Sequence, residues 1–296
     1  MKRFQIILAS LLLSCAVLAC DNGNAHAMAE GKPKKAKKKK KAPEAASAAV
    51  LINQKWEVPE ILREVSGIAY LGNGQFACVQ DEAGVIFIYN TKTQKIDRQV
   101  TFGAAGDYEG IALVGTTAYV VRSDGHLFEV ADWQSQAPKI QEHTTSLTEA
   151  HNVEGLTYDP KNERLLLAIK GEEANGADYK GVYAFSLGAK KLSAEPIFKL
   201  SLRDSLLAPN QKKSLSKAWQ PSEIAIHPKT GDIYLTEASN PQLFILNQDG
   251  SIRTRHKLSD TAFYKPEGIT FSPEGELFIS NEGKKEQGNI LLVSLK

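Results

Sequence analysis

Apolar residues in this chain fall in short alternating or continuous runs separated by Gly, Asn, Asp and Pro, and one phrase keeps reopening the pattern. It reads Ser66-Gly67-Ile68-Ala69, Glu109-Gly110-Ile111-Ala112, Glu154-Gly155-Leu156-Thr157, Glu223-Ile224-Ala225-Ile226 and Glu267-Gly268-Ile269-Thr270. After each phrase come a turn and a second β-rich run, as in Gly72-Asn73-Gly74 before Gln75 to Val79, and Ser272-Pro273-Glu274-Gly275 before Glu276 to Ile279. Such turn residues between β-rich runs predict hairpins. Third strands are expected at Val85–Tyr89, His126–Val130, Gly181–Phe185, Gln242–Leu246 and Asn289–Val293. Fourth strands are expected at Ile96–Thr101, Pro196–Leu200 and Ile252–Lys257.

Successive phrases are 43 to 45 residues apart, except between Glu154 and Glu223. A period in this range marks a repeat architecture whose units bury their apolar faces against one another. Consecutive antiparallel strands repeated in this way predict an all-β, five-bladed β-propeller, with six blades as the alternative if the long gap hides weak strands. That gap contains Ser201–Gln220, where Asp204-Ser205-Leu206-Leu207 and Lys212-Lys213-Ser214-Leu215 look helical, and it reads as an insertion. The last blade has only three strands before Lys296, so the early strand Val50–Val58 is expected to supply the fourth and close the ring.

Ahead of the propeller, residues 50–296, the pattern changes twice. Lys2-Arg3 and the apolar run Phe4 to Leu13 suit a signal peptide rather than a membrane span. Small residues before Cys15 and Cys20 resemble a bacterial lipobox, which predicts a lipoprotein signal peptide over residues 1–20 with lipid on Cys20. Ordinary secretion with cleavage near Ala27 is the alternative. Residues 21–49 are rich in Lys, Ala and Pro and predict a disordered tether. From Leu51 onward 26 basic residues face 31 acidic ones, so a basic tether carries a mildly acidic domain despite an overall charge of +2. The tether suits anionic headgroups beside a lipid anchor, and an exported chain of this kind is not expected to meet nucleic acid. Cys78 is the one cysteine of the folded region and lies in an apolar strand, which predicts an inert buried thiol and excludes an internal disulfide.

Candidate chemistry concentrates at one mouth of the channel, because the start of each first strand and the end of each second strand meet there. One set is Ser66, Glu109, Glu154, Glu223 and Glu267, with Asp107, His151 and Asn152 just ahead. The other includes Asp81, Glu82, Arg122, Asp124, Lys170, Glu172, Glu237, Asn281 and Glu282. Four carboxylates ~7 Å apart at an effective dielectric near 20 would repel by roughly 2 kcal/mol per pair. Raised pKa values, basic partners or a bound cation must compensate. Ca²⁺ is the favoured ion, with Glu109, Glu154, Glu223 and Glu267 as its ligands, since it accepts many hard oxygens in irregular geometry. The structural alternative is that each Glu accepts N–H bonds from an adjacent blade.

The phrases at 107–112, 152–159, 221–225 and 265–270 together resemble the SdiA-regulated (YjiK-like) family of bacterial β-propellers over essentially Val50 to Lys296. The resemblance implies a phytase-like propeller in the cell envelope, on the periplasmic or outer-membrane face, with calcium associated with some members. More distantly, the channel carboxylates resemble those of gluconolactonase and regucalcin-type propellers, which hold a divalent ion. Ser66 in place of Glu and the absence of Gly after Glu223 depart from that pattern. Three function classes follow. One is a monomeric, membrane-anchored, calcium-binding propeller that takes a small anionic or polar ligand through Arg122, Lys170, Glu237 and Asn281. Another is a calcium-dependent phosphoesterase or lactonase with His151 and Glu154 moving a proton. The last is a protein-interaction scaffold. No G-x-S-x-G, H-E-x-x-H, P-loop or EF-hand signature is present.

Overall fold

A computed structural model describes residues 50–296 except 211–213 and 260. The predicted signal peptide, Cys20 and the tether lie outside the described residues, as do Lys212 and Lys213. Each recurring phrase opens an antiparallel sheet. Blade 1 is β2 (Val65–Gly72), β3 (Gln75–Gln80), β4 (Val85–Asn90) and β5 (Lys95–Thr101). Blade 2 is β6 (Tyr108–Val114), β7 (Thr117–Arg122), β8 (Leu127–Ala131) and β9 (Lys139–His143). Blade 3 contains β10 (Val153–Asp159), β11 (Arg164–Ile169) and β12 (Tyr179–Ser186), whose outer edge is shared by β13 (Lys191–Leu192) and β14 (Phe198–Ser201). Blade 4 is β15 (Pro221–Ile226), β16 (Ile233–Glu237), β17 (Gln242–Leu246) and β18 (Ile252–Lys257). Blade 5 is β19 (Pro266–Phe271), β20 (Leu277–Asn281), β21 (Asn289–Leu295) and β1 (Val50–Glu57). The innermost strands β2, β6, β10, β15 and β19 neighbour one another in a closed cycle, so the protein is a five-bladed propeller.

The early strand pairs antiparallel with β21, from Val50 opposite Leu295 to Glu57 opposite Asn289, and thus completes the last blade. The insertion is helical rather than stranded in its described part, as expected. Its described part forms short 3₁₀ turns at Ser205–Asn210 and Leu215–Lys217, with no α-helix. Leu207, Ala218 and Trp219 anchor it by burial against blades 3 and 4.

The core is divided by interface rather than gathered at one centre. Five apolar clusters occupy the five junctions between blades. The second strands are nearly all buried, whereas outer strands such as β5 and β9 are largely exposed. Close approach of inner strands explains the glycine of the phrase. A Cβ on Gly110 would stand 2.7 Å from Leu156 Cβ and 2.9 Å from Leu156 N in the next blade. Gly110→Ala should therefore destabilise the fold by about 1–3 kcal/mol, because the obstacle is backbone that cannot swing aside. Urea denaturation checks this, and an unchanged midpoint would refute the close-approach argument.

Candidate functional site

The first two strands of every blade slip register at the same place. Tyr108 pairs with Arg122 and Gly110 with Val121, leaving Glu109 without a cross-strand partner. Glu154 and Glu267 are left out in the same way. Such a bulge turns one side chain out of the ladder, here at the mouth where the inner strands begin. Blade 1 has Ser66-Gly67 in this slip, so a short hydroxyl stands where blades 2, 3 and 5 carry a carboxylate.

Blade 4 corrects the expected repeat register by one residue. Pro221 pairs with Glu237 and Glu223 with Thr236, so Pro221-Ser222-Glu223-Ile224 matches Pro266-Glu267-Gly268-Ile269. Ser222, not Glu223, takes the bulged position, and Glu223 occupies a glycine slot. The Glu223 carboxylate accepts the N–H of Leu156 at 2.6 Å across the blade junction and that of Ile224 at 3.0 Å. Ser222 Oγ donates to Pro266 O at 2.6 Å. Glu223 thus does the interblade hydrogen bonding that is the structural alternative for all four.

Glu109, Glu154 and Glu267 behave differently. Glu154 is 2 % exposed, and its Oε1 accepts Lys170 Nζ at 2.9 Å and Asn152 Nδ2 at 2.8 Å. Burial opposes the Lys170 charge, but Glu154, Glu267 and Glu109 outweigh it and hold the ammonium above its ordinary pKa. Burial and then Glu154, Asp107 and Glu267 push Glu109 up to about 10. Burial and Glu154 push Glu267 to about 8. Glu154 is raised by burial against the pull of Lys170, and Glu223 is raised well above the carboxylate range by burial. Lysine and raised carboxyl pKa values are therefore the compensation at the mouth.

The other candidates are placed as follows. Arg122 is committed to Asp124 through Nε at 3.0 Å and Nη2 at 2.8 Å, with Glu142 at 3.7 Å. Arg122 and Asp124 line a cleft of about 400 Å³ together with Asp107, Ser123, Glu149 and Asn152. His151 Nδ1 accepts the Thr148 N–H at 3.0 Å, and no hydrogen bond joins His151 to Glu154. Glu237 is buried and accepts Gln242 Nε2 at 3.0 Å. Asn281 is 0 % exposed; its Nδ2 donates to Asn289 Oδ1 at 3.0 Å, while its Oδ1 has no hydrogen-bond partner among the described residues.

Sequence reasoning misses Lys265, which contacts Glu282 at 2.6 Å and Glu267 at 3.6 Å. Its signal is positional. Glu64, Asp107, Asn152 and Lys265 each stand two residues before a bulged residue, and all are polar. Lys180 escapes as well. Buried to 1 % exposure, it donates to the backbone carbonyls of Lys170 and Gly171, which holds the turn from which the Lys170 side chain emerges.

Calcium would need several hard oxygens around one point. Among the described residues no group of three or more His, Cys, Asp or Glu is arranged to hold a metal ion, and the Lys170 ammonium already interacts with Glu154, Glu109 and Glu267. The arrangement does not fit a preformed calcium cage. What it provides is a desolvated mouth rich in hydrogen-bond acceptors around the ammonium groups of Lys170 and Lys265.

No protein-family model and no curated protein matches this chain. Among solved structures, it is similar to the glutaminyl cyclase of Myxococcus xanthus, with 15% identity and a TM-score of 0.57, over 83% of this chain and 96% of that one. The PQQ-bound aldose sugar dehydrogenase of Streptomyces coelicolor gives 14% identity and a TM-score of 0.51, over 85% and 99%. A protein of unknown function from Bacteroides thetaiotaomicron gives 14% and 0.50, over 79% and 55%. At such identities the likeness bears on architecture alone, and it agrees with the sheets described above: the chain folds as a β-propeller.

Proposed function

We propose that this chain is a lipid-anchored propeller of the bacterial cell envelope that binds a small polar ligand at its carboxylate-rich mouth. The observation that carries the reading is a contrast within one ring. Glu223 spends its carboxylate on backbone N–H groups of the blade junction, whereas Glu109, Glu154 and Glu267 make no hydrogen bond to interblade backbone among the described residues and face the mouth groups. Burying carboxylates that close no blade is costly unless something else uses them. The lipobox-like Cys20 and the family resemblance support the envelope location.

The arrangement favours a polar over an anionic ligand. Arg122 and Lys170, the two cations expected to receive an anion, are held by Asp124 and Glu154. Hydrolysis gains no comparable support, since His151 is turned to Thr148.

Thermal shift and calorimetry on the mature chain with polyols, amines, inorganic phosphate and CaCl₂ test the reading. A true ligand at ~100 times its Kd should stabilise the fold by about 2.7 kcal/mol, and Glu154→Gln should reduce that gain. Absence of stabilisation by any of these classes would overturn it. A calcium response lost in Glu154→Gln would restore the metal reading. Mass spectrometry of the mature N-terminus tests the anchor, and a free terminus beyond Cys20 would remove it.

A further inference from the structure

The far end of the channel is built differently from the mouth. Each inner strand is the end strand of its sheet, so no ladder covers the edge that it turns to the axis. Two hydrogen bonds show which groups lie on that edge. Leu156 N donates to Glu223 of blade 4, and Tyr70 N donates to Thr270 Oγ1 of blade 5 at 3.3 Å. Residues two apart along an antiparallel strand use the same edge, so Ile68 with Tyr70 and Leu156 with Tyr158 turn both N–H and C=O to the axis side.

Beyond the mouth these edges surround a cavity of about 430 Å³ that all five inner strands line, a volume in the range of small-molecule sites. Each blade supplies one residue from the same repeat position, Tyr70, Leu113, Tyr158, Ile226 and Phe271, and all of them are half-buried. Pro228 and Pro273, in turns that follow inner strands, bound the cavity and place it at the end away from the carboxylates. Among the described residues that line it none carries a charge, in contrast with the mouth.

Besides backbone, the polar groups of this lining are hydroxyls. Thr157 and Thr270 stand where blades 1, 2 and 4 have Ala69, Ala112 and Ala225. Thr270 Oγ1 accepts Tyr70 N, which leaves its own O–H to donate. The aromatic rings are held in advance, since Tyr70 stacks on Phe278 at 5.2 Å and Phe271 meets His227 and Tyr234 edge-on at 4.9 and 5.0 Å. Fixed rings lower the ordering cost of binding. A charged ligand would lose its water here and meet no counter-charge. What fits is an uncharged ring with an apolar face for the aromatic residues and groups that both donate and accept, as sugar hydroxyls do.

From this lining we propose that the far end of the channel binds a small neutral sugar, with its C–H face against the aromatic residues and its hydroxyls toward Thr157, Thr270 and the inner-strand edges. It is a second site, separate from the mouth and independent of the ligand proposed there.

Calorimetry of the mature chain with glucose, galactose and N-acetylglucosamine, against glucosamine and glucuronate, decides the matter. At least one neutral sugar should bind, and the two charged sugars should bind at least tenfold more weakly than it. Thr157→Val keeps the shape, removes a lining hydroxyl and should weaken binding about fivefold, and Tyr158→Ala should weaken it about tenfold. Where Tyr158→Ala does not fold, Leu113→Trp, which fills the cavity, takes its place. Tighter binding of a charged sugar would overturn the neutral assignment. Sugar binding that ignores the channel variants would overturn the location, and its loss in Glu154→Gln would move the sugar to the mouth. If no neutral sugar binds, this inference falls alone, because the mouth keeps its own test with amines, phosphate and CaCl₂.

Discussion

Replacing Lys170 by Met is expected to destabilise the folded protein by about 3–5 kcal/mol at pH 8, the cost of leaving one half of a buried ion pair unpaired. Its partner Glu154 is 2 % exposed and would keep only the Asn152 amide as a donor. Glu109 and Glu267 would lose the same nearby cation. The loss should shrink at pH 5, and the sign follows from linkage. A carboxyl whose folded pKa lies above its unfolded value binds more protons when folded, so stability falls as pH rises from the unfolded pKa near 4.5 to the folded one. Glu109 near 10 and Glu267 near 8 already place wild-type stability on that declining slope between about pH 5 and 9. Removing the ammonium raises the carboxyl values further and steepens the slope. Glu154→Gln combined with Lys170→Met should recover most of the loss, because the amide has no charge to strand. Urea denaturation at pH 5 and pH 8 measures all three variants. Equal losses at both pH values would show that Lys170 acts by packing rather than by charge.

Removing residues 50–57 should be nearly as damaging, and it should also cause association. This strand makes the fourth position of blade 5 and covers the edge of β21. Its own side chains are mostly exposed, so little apolar burial is lost directly. More is lost with the backbone ladder, the Tyr89 hydroxyl bond to Glu57 O at 2.8 Å, and the contact of Trp56 with Phe278 at 6.3 Å between centroids. At about 0.5–1.5 kcal/mol per backbone bond, the ladder alone contributes several kcal/mol. The uncovered β21 would present Ile290, Leu291 and Val293 beside unpaired N–H and C=O groups, a template for pairing with another chain. Chemical denaturation with light scattering reads both effects. A monodisperse truncated chain with unchanged melting would refute closure by this strand.

The architecture is legible in the sequence because its signals are local. Turn residues such as Gly72-Asn73-Gly74, with φ of 95°, 53° and 78°, mark a hairpin wherever they occur between β-rich runs. Inner strands need a small residue at the close approach and an apolar face behind it, which repeats visibly from blade to blade. Strand β9 carries no such signal, because Lys139–His143 lies on the outer edge and its residues are almost all exposed, so no apolar alternation is imposed on it. The blade 3 edge is expected at Pro196–Leu200, whereas two short strands, Lys191–Leu192 and Phe198–Ser201, share that edge in the fold.

Sequence alone thus determined the blade count and the strand that closes the ring. It also marked the mouth as the place where Glu109, Glu154 and Glu267 gather, since hydrophobic period, turn chemistry and repeat spacing are all properties of neighbouring residues. Tertiary structure decided what each carboxylate does. The one-residue offset that makes Glu223 a junction acceptor depends on cross-strand register, which a two-residue bulge can satisfy in either order, Glu-Gly or Ser-Glu. The pairing of Lys170 with Glu154 and the closure of Arg122 on Asp124 depend on side chains brought together from separate strands and loops. Electrostatic energy depends on those distances and on burial rather than on position along the chain.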